Sequence, residues 1–295
     1  MGCSCIAALA AVAVLAASPT SAASEIWYDP SLGSLPQSQG WTYFTLPSLP
    51  EVFVDGSARL DTTGLDLIRG GWTRVGTPPL LRADGVRLEF DLRVDTENHA
   101  SFHRAGFSVI LLGHDKRGVE IGFWTDKVWA QSDSPLFFHA EEVAIDTTAR
   151  FVTYGLELLA DQYRLLANGQ PVLSGPVRDY TGFTGTFDVY ETSDFVFLGD
   201  DTTSASGSVR LRQVAVTRGL SSPPPAISIR RNGDQIQMRW PGESGGIVRV
   251  LESAPNPTGP WATDSSPRVF ESGPGNGTVS VSIVPSSGPG FFRLR

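Results

Sequence analysis

The sequence has few cysteines, no excess of basic residues and no helical periodicity beyond its first residues. Its two cysteines, Cys3 and Cys5, both lie in the apolar leader, so the rest of the chain cannot form disulfides. The 23 lysines and arginines are dispersed and are outnumbered by 31 acidic residues, giving a net charge of -8 that argues against nucleic acid as a partner. Outside the leader, no long window shows the 3.6-residue spacing of an amphipathic helix.

Turn-forming and aromatic residues are abundant instead. The 295 residues include 31 glycines and 21 prolines, and aromatic residues make up 10%. Such a composition is typical of antiparallel β-proteins, and this length allows one large or two ordinary domains. An all-β protein is therefore predicted.

The leader, residues 1–23, is an apolar run that ends in small residues, with a cleavage position after Ala22 or Ala23. This pattern predicts a secretory signal peptide, although no lysine or arginine precedes the run. The run is too short for the roughly 20 apolar residues of a membrane helix, so no span is expected in the mature chain. The protein is predicted to be secreted or held at the cell surface.

Beyond the leader, the chain divides at a proline-rich segment. In residues 24–219, the stretch 86–94 alternates between apolar and charged residues, and the stretch 107–112 is apolar on both faces, as in a central strand. Residues 220–225 contain Ser and Pro without periodicity and predict a stiff linker. Short strands and the turn Asn232-Gly233 in residues 226–295 predict a small second β-sandwich.

The most informative stretch is 118–142, where alternation predicts three consecutive strands at 119–124, 127–132 and 136–141. The turn Thr125-Asp126 places Glu120 opposite Gln131. One face of these strands is apolar. The other face mixes indole, carboxylate, amide and imidazole groups from Glu120, Trp124, Trp129, Gln131, His139 and Glu141.

This mixed face is the candidate ligand-binding surface. Sugars present apolar CH faces that stack on indoles, and hydroxyls that hydrogen-bond to carboxylates and amides. The predicted function is non-catalytic recognition of an extracellular polysaccharide or a cell-surface glycan. An alternative is that Trp129 merely covers Gly122 on the next strand, in which case the face is core and the protein has a structural role at a surface or in a matrix.

A carbohydrate-active enzyme, either a glycoside hydrolase or a lyase, is a further alternative. Glycoside hydrolysis needs two carboxyl groups, about 5–5.5 Å apart in retaining and about 6.5–9.5 Å apart in inverting enzymes. If Glu141 lies beside Lys127, strand spacing puts Glu141 about 16 Å from Glu120, which suits neither mechanism. No catalytic residue is therefore assigned, although a second carboxyl near Glu120 would favour an enzyme.

Several motifs of the first domain resemble a known group of exported proteins. These motifs are Leu35-Pro36 with Gln39-Gly40-Trp41, Glu120-Ile121-Gly122-Phe123-Trp124, Val128-Trp129-Ala130-Gln131, His139-Ala140-Glu141 and Gly199-Asp200-Asp201-Thr202. They resemble the concanavalin-like or laminin-G-like jelly rolls of bacterial choice-of-anchor ectodomains. The tail, with Arg239-Trp240-Pro241 and Pro260-Trp261, resembles a fibronectin-type-III-like module. The resemblance implies a jelly-roll β-sandwich followed by a small fibronectin-like sandwich, and an exported setting.

The resemblance also draws attention to Asp200 and Asp201, which follow a strand in a loop. Laminin-G-like domains often hold calcium with loop carboxylates, and calcium takes six to eight oxygen ligands. A Ca²⁺ site at Asp200 and Asp201 is therefore a prediction, with a plain polar turn as the alternative.

Overall fold

The computed structural model describes residues 13–14, 23–64, 69–220, 228–232, 235–241, 251–254, 260, 262–263, 268–271, 278–283 and 291–294. The chain forms two compact units, residues 21–220 and residues 1–20 with 221–295. Most of the leader and the proline-rich segment lie outside the described residues. Within the described residues, no helix is both long enough and apolar enough to cross a membrane.

The strands are short and numerous, as the composition predicts. In chain order they are β1 (Ala13–Val14), β2 (Ala23–Tyr28), β3 (Thr42–Leu46), β4 (Val52–Val54), β5 (Ser57–Asp61), β6 (Arg69–Val75), β7 (Val86–His99), β8 (Ser108–Leu112), β9 (Gly118–Phe123), β10 (Lys127–Asp133), β11 (Leu136–Ala144), β12 (Val152–Leu159), β13 (Gln162–Ala167), β14 (Gln170–Pro176), β15 (Phe195–Asp200), β16 (Ala205–Arg218), β17 (Ser228–Asn232), β18 (Gln235–Pro241), β19 (Leu251–Ala254), β20 (Ala262–Thr263), β21 (Arg268–Glu271), β22 (Thr278–Ile283) and β23 (Phe291–Leu294). Three short 3₁₀-helices lie at Pro30–Leu32, Pro36–Gln39 and Arg82–Asp84.

The unit of residues 21–220 is a jelly-roll β-sandwich of two antiparallel sheets. One sheet has seven strands in the order β11-β10-β9-β8-β15-β6-β3. The other has eight, in the order β14-β13-β12-β7-β16-β5-β4, with β2 also paired to β16. The main core lies between the two sheets.

Strand β7 shows why the sheets face each other. Its apolar residues at alternate positions, Val86 to Val94, are at most 1% exposed and lie in the core, whereas the charged residues between them are half-buried on the other face. Strand β8 is buried along its whole length, because both faces of the seven-stranded sheet are covered at that point. Both patterns confirm the sequence-based expectation.

The second face of the seven-stranded sheet carries its own apolar cluster. Along β8, Val109 and Leu111 lie in the main core, whereas Ile110 and Leu112 pack on the opposite face against Tyr180 and Phe197. The segment 177–194, which connects β14 to β15, contributes much of that cover. We call this the outer face of the seven-stranded sheet.

The predicted meander exists, with one register error. Phe123 pairs with Val128 and Gly122 with Trp129, as the two-residue turn predicts. The third strand is shifted, because bulges interrupt the β10–β11 ladder on either side of Gln131. Lys127 therefore pairs with Ala144 and not with Glu141.

The second unit contains two four-stranded sheets, β1-β23-β19-β20 and β17-β18-β22-β21. The hairpin of β17 and β18 pairs Asn232 with Gln235, so the strands are joined by Gly233 and Asp234, one position later than the predicted turn Asn232-Gly233, and both joining residues lie outside the described residues. A fibronectin-type-III topology for this unit remains a prediction.

Candidate functional site

A pocket of about 620 Å³ lies on the outer face of the seven-stranded sheet. Its rim includes three exposed apolar side chains, Phe44, Leu46 and Phe187, with exposed fractions of 39%, 54% and 61%. The lining combines further aromatic residues with charged and amide groups: Phe137, Phe183, Tyr190, Phe197, Arg69, Arg104, Gln131 and Asp201. Its volume and mixture of apolar and polar groups fit a small-molecule or oligosaccharide site.

Glu120 lies beside this pocket as a fully buried carboxyl group. Its Oε1 accepts a short hydrogen bond from Gln131 Nε2, and its Oε2 accepts one from Tyr190 Oη at 2.5 Å. Tyr180 Oη accepts from the Glu120 backbone N–H at 3.2 Å and donates to the Gln131 carbonyl at 2.8 Å. The predicted pairing of Glu120 with Gln131 across β9 and β10 is thus present, and the two tyrosines extend it into a network.

Asp201 is the second carboxyl group of this network. It follows β15, lines the pocket and lies close enough to Glu120 for each carboxyl to affect the pKa of the other. Burial raises the pKa of Glu120 well above its ordinary value, and the charge of Asp201 adds to the rise. Burial also raises the pKa of Asp201, partly opposed by the nearby Arg104. Burial therefore disfavours a negative charge on both carboxyls at once.

Asp200 does not join Asp201 around a common ligand. Consecutive residues at a strand end point to opposite faces, and Asp200 is fully buried whereas Asp201 lines the pocket. Burial raises the pKa of Asp200 to about 8, which favours its neutral form. No group of three or more His, Cys, Asp or Glu side chains within the described residues is arranged to hold a metal. Two carboxyls by themselves supply too few oxygens for calcium, so a Ca²⁺ site at Asp200 and Asp201 is not confirmed and stays a prediction.

Trp124 and Trp129 are buried and do not lie on the exposed ligand-binding surface that the sequence analysis predicts. Trp129 is fully buried and Trp124 is 4% exposed, and the two rings pack together with Ala105. The Trp129 ring lies directly over Gly122, where an added Cβ would come within 2.7 Å of it. Their burial corrects the expectation that these indoles offer stacking faces to a sugar, because Trp129 fills the space above a strand glycine.

His139 and Glu141 also lie away from the pocket. The His139 ring stacks between Trp129 and Phe102, with centroid distances of 4.3 and 4.4 Å. Glu141 accepts from Arg178 Nη2 at 2.7 Å and from Tyr163 Oη at 3.2 Å. His139 nevertheless pairs with Gln131 across β10–β11 and stays beside Trp124 and Trp129, as alternation predicts. The bulge between the Gln131–His139 and Trp129–Glu142 pairs takes Glu141 out of this face.

Several lining residues escaped the sequence-based analysis. Arg69, Arg104 and Phe187 lie in or beside loops, where no strand alternation assigns them a face. The aromatic density of 180–197 was an available signal, because a segment rich in Tyr and Phe between two strands has to bury those rings against a sheet.

The sequence matches no known protein-family profile and no curated protein. Among solved structures, it is similar to the carbohydrate esterase vb_24B_21 from Shiga toxin-encoding bacteriophage phi24B (14% identity, TM-score 0.47, covering 65% of this chain and 96% of that one). It is also similar to a protein of unknown function with a galectin-like fold from Bacillus subtilis (13% identity, TM-score 0.43, covering 65% of this chain and 96% of that one). A third similar structure is the exoplasmic/lumenal domain of VIP36 in its Ca²⁺- and mannose-bound form (10% identity, TM-score 0.41, covering 68% of this chain and 91% of that one). At these identities and TM-scores, the similarities do not indicate what this chain binds.

We predict that Gly122→Ala destabilises the sandwich, because the new methyl group would collide with the Trp129 ring. The expected loss is about 1–3 kcal/mol of unfolding free energy. Urea unfolding followed by tryptophan fluorescence measures it, since five of the seven tryptophans lie within residues 21–220. Gly182→Ala is the matched control, because nothing lies within 4 Å of its Cβ position. Equal unfolding midpoints for the two variants would contradict the packing of Trp129 on Gly122.

We also predict that Asp200 makes the fold less stable as pH rises. Its pKa is raised on folding, so its stabilising contribution is complete below the unfolded value of about 4 and is lost as pH rises through about 8. Asp200→Asn keeps the shape and an acceptor for the Thr202 N–H, which Asp200 Oδ1 accepts at 3.1 Å.

Melting temperatures measured from pH 4.5 to 8.5 test this prediction. As pH rises across that range, the melting temperature of Asp200→Asn should increase relative to that of the wild type. Asp84→Asn, at an exposed position, is the control. Parallel curves for wild type and Asp200→Asn would refute a protonated, buried Asp200.

Proposed function

We propose that this protein is an exported, non-catalytic carbohydrate-recognition protein whose binding site is the pocket on the outer face of the seven-stranded sheet. The observation that carries the proposal is the composition of that pocket. It combines exposed aromatic rings at the rim with a carboxyl, an amide and two guanidinium groups in the lining. Sugar recognition uses this combination, because a pyranose has apolar faces edged with hydroxyls.

The dimensions of the pocket suit a chain of sugars. Its lining residues come from strands as far apart as β3 and β11, the two edges of the sheet. Side chains from both edges therefore converge on one pocket of about 620 Å³, which is in the range of pockets that hold drug-sized ligands. A volume of this size favours a short oligosaccharide over a single sugar.

Gln131 provides the polar contact that best supports a ligand here. Its side chain is only 2% exposed, and its Nε2 is committed to Glu120. Its Oε1 is buried without a hydrogen-bond partner among the described residues, and Gln131 lines the pocket. A buried acceptor of this kind costs stability unless a donor meets it, and a sugar hydroxyl is a suitable donor.

The export of the protein rests on its sequence. The leader of residues 1–23 has the pattern of a signal peptide, and β2 begins at Ala23, beside the expected cleavage position. We propose, on the same sequence grounds, that the sandwich is of the choice-of-anchor type, that 220–225 is a linker and that 226–295 is a fibronectin-type-III-like module. The whole would act outside the cell.

An enzymatic role is the second candidate, favoured by the close approach of Asp201 to Glu120. The geometry nevertheless suits glycoside hydrolysis poorly. Both hydrolytic mechanisms need two carboxyl groups that reach the substrate. Glu120 is fully buried, with both oxygens accepting hydrogen bonds, so it has no access to a substrate.

We predict that Phe187→Ala weakens binding to an immobilised polysaccharide about tenfold, through loss of a stacking ring. Phe102→Ala is the matched control, because Phe102 is 57% exposed, close to the 61% of Phe187, but contacts Trp124 and His139 outside the pocket. Affinity gel electrophoresis over a panel of soluble polysaccharides measures both variants. If only Phe102→Ala loses affinity, the site is the surface around Phe102, beside Trp124 and His139, and not the pocket.

We further predict that incubation with any polysaccharide that binds releases no reducing ends and no unsaturated products. Asp201→Asn should then alter the affinity for that polysaccharide, and neither the variant nor the wild type should release products. Product release by the wild type that disappears in Asp201→Asn would establish the enzymatic alternative. Product release that persists in this variant would locate catalysis elsewhere in the chain.

A further inference from the structure

The pocket contains two guanidinium groups that lie near Asp201 but form no close ion pair with it. Arg69 begins β6 and Arg104 precedes β8, and both line the pocket. Within residues 23–64 and 69–220, neither forms an ion pair within 4.0 Å, although Arg87 and Arg178 in the same unit pair with Glu157 and Glu141. Two such cations in one pocket stand out in a protein of net charge -8.

Arg104 is held in a fixed orientation. Its Nη1 donates to the carbonyl oxygens of His103 at 2.6 Å and Phe137 at 2.9 Å, and its Cζ lies 5.6 Å from the centroid of the Phe137 ring. No acceptor among the described residues engages Nε or Nη2. A guanidinium fixed at one corner presents its remaining N–H groups at little entropic cost, in the fork that suits carboxylate and sulfate oxygens.

Arg69 offers a second, independent donor. Its Nε is buried and has no hydrogen-bond partner among the described residues. Burial strips this N–H of water, so an acceptor that reaches it relieves an unfavourable state. An anionic oxygen is the strongest such acceptor.

The acidic residues at the pocket balance only part of this positive charge. Glu120 is buried behind the lining, hydrogen-bonded to Gln131 and Tyr190. Among the described residues that line the pocket, Asp201 is the one acid, so two guanidinium charges stand against at most one carboxylate. The pocket is therefore a local positive site.

We propose that the ligand is an acidic glycan, carrying uronic-acid carboxylates or sulfate esters, whose anionic groups contact Arg69 and Arg104 while its sugar rings pack on Phe44 and Phe187. This inference rests on the proposed carbohydrate-binding function and adds the charge of the ligand to it. The apolar rim distinguishes such a ligand from a simple polyanion, since a sugar ring has a CH face and a carboxylate side by side.

The test compares matched probes on the full chain by isothermal titration calorimetry at fixed salt. Polygalacturonate is compared with its methyl ester, and dextran sulfate with dextran. We expect the wild type to bind at least one acidic form ten or more times more tightly than its neutral counterpart, and the preference for carboxylate or for sulfate identifies the anionic group. Affinity for that form should fall as NaCl is raised.

Variants connect the preference to the pocket. Arg104→Gln and Arg69→Gln should each lower affinity for the acidic probe about tenfold and leave weak binding to the neutral probe unchanged. Arg104→Lys keeps the positive charge but loses the forked guanidinium N–H groups, so its affinity for the acidic probe should lie between those of the wild type and Arg104→Gln. Arg150→Gln, at an exposed position outside the pocket, is the control and should bind as the wild type does. Melting curves of all four variants report whether each one folds.

The outcomes separate this inference from the proposed function. Equal binding of acidic and neutral probes, with loss in Phe187→Ala, would overturn the acidic specificity and leave carbohydrate recognition intact. Binding of polyglutamate as tight as that of the acidic glycan would overturn it too, since charge alone would suffice. No binding of any polysaccharide would overturn both. The comparison of probes on the wild type decides the inference even if Arg104→Gln does not fold.

Discussion

A sheet with two apolar faces has to be covered twice, and this requirement shapes the whole first unit. The eight-stranded sheet covers one face of the seven-stranded sheet, and the segment 177–194 covers part of the other. That segment is attached by polar anchors as well as by its rings. Tyr180 bonds to the backbone of both β9 and β10, and Tyr190 bonds to the Glu120 carboxyl. The pocket lies on the same face, with its rings in part supplied by this segment.

Glu120 illustrates the cost of placing a carboxyl in such a position. A buried acid without donors would destabilise the fold by several kcal/mol, and Gln131 and Tyr190 supply donors to both of its oxygens. The same network fixes the floor of the pocket, because Gln131 can turn its carbonyl oxygen outward only while its amide nitrogen is held inward. In the proposed site, the Glu120 carboxyl would therefore orient Gln131 toward a ligand without contacting that ligand itself.

The sequence allowed the β-architecture and the first half of the meander to be predicted, because alternation and a two-residue turn determine which side chains face each other. Glu120 therefore came out opposite Gln131, as observed. Alternation failed for Glu141, because a bulge separates the Gln131–His139 and Trp129–Glu142 pairs, whereas His139 does lie opposite Gln131 as predicted. Strand alternation could not predict that Asp201 lies near Glu120, because Asp201 follows the end of β15, where the chain leaves the sheet. Trp129 could have been assigned to the core, since its cross-strand partner is Gly122 and a large ring fills the space that a glycine leaves.

The charge of the whole chain and the charge of the pocket act on different length scales, and this difference determines what can bind. A net charge of -8 repels a polyanion at long range, but at physiological ionic strength that repulsion is screened beyond about 8 Å. At contact distance, the guanidinium groups of Arg69 and Arg104 act in a partly dry pocket, where screening is weaker. An acidic glycan would therefore be rejected by most of the surface and accepted at this pocket. Such a combination yields selectivity for one site at the expense of association rate, because the long-range field does not steer the ligand inward.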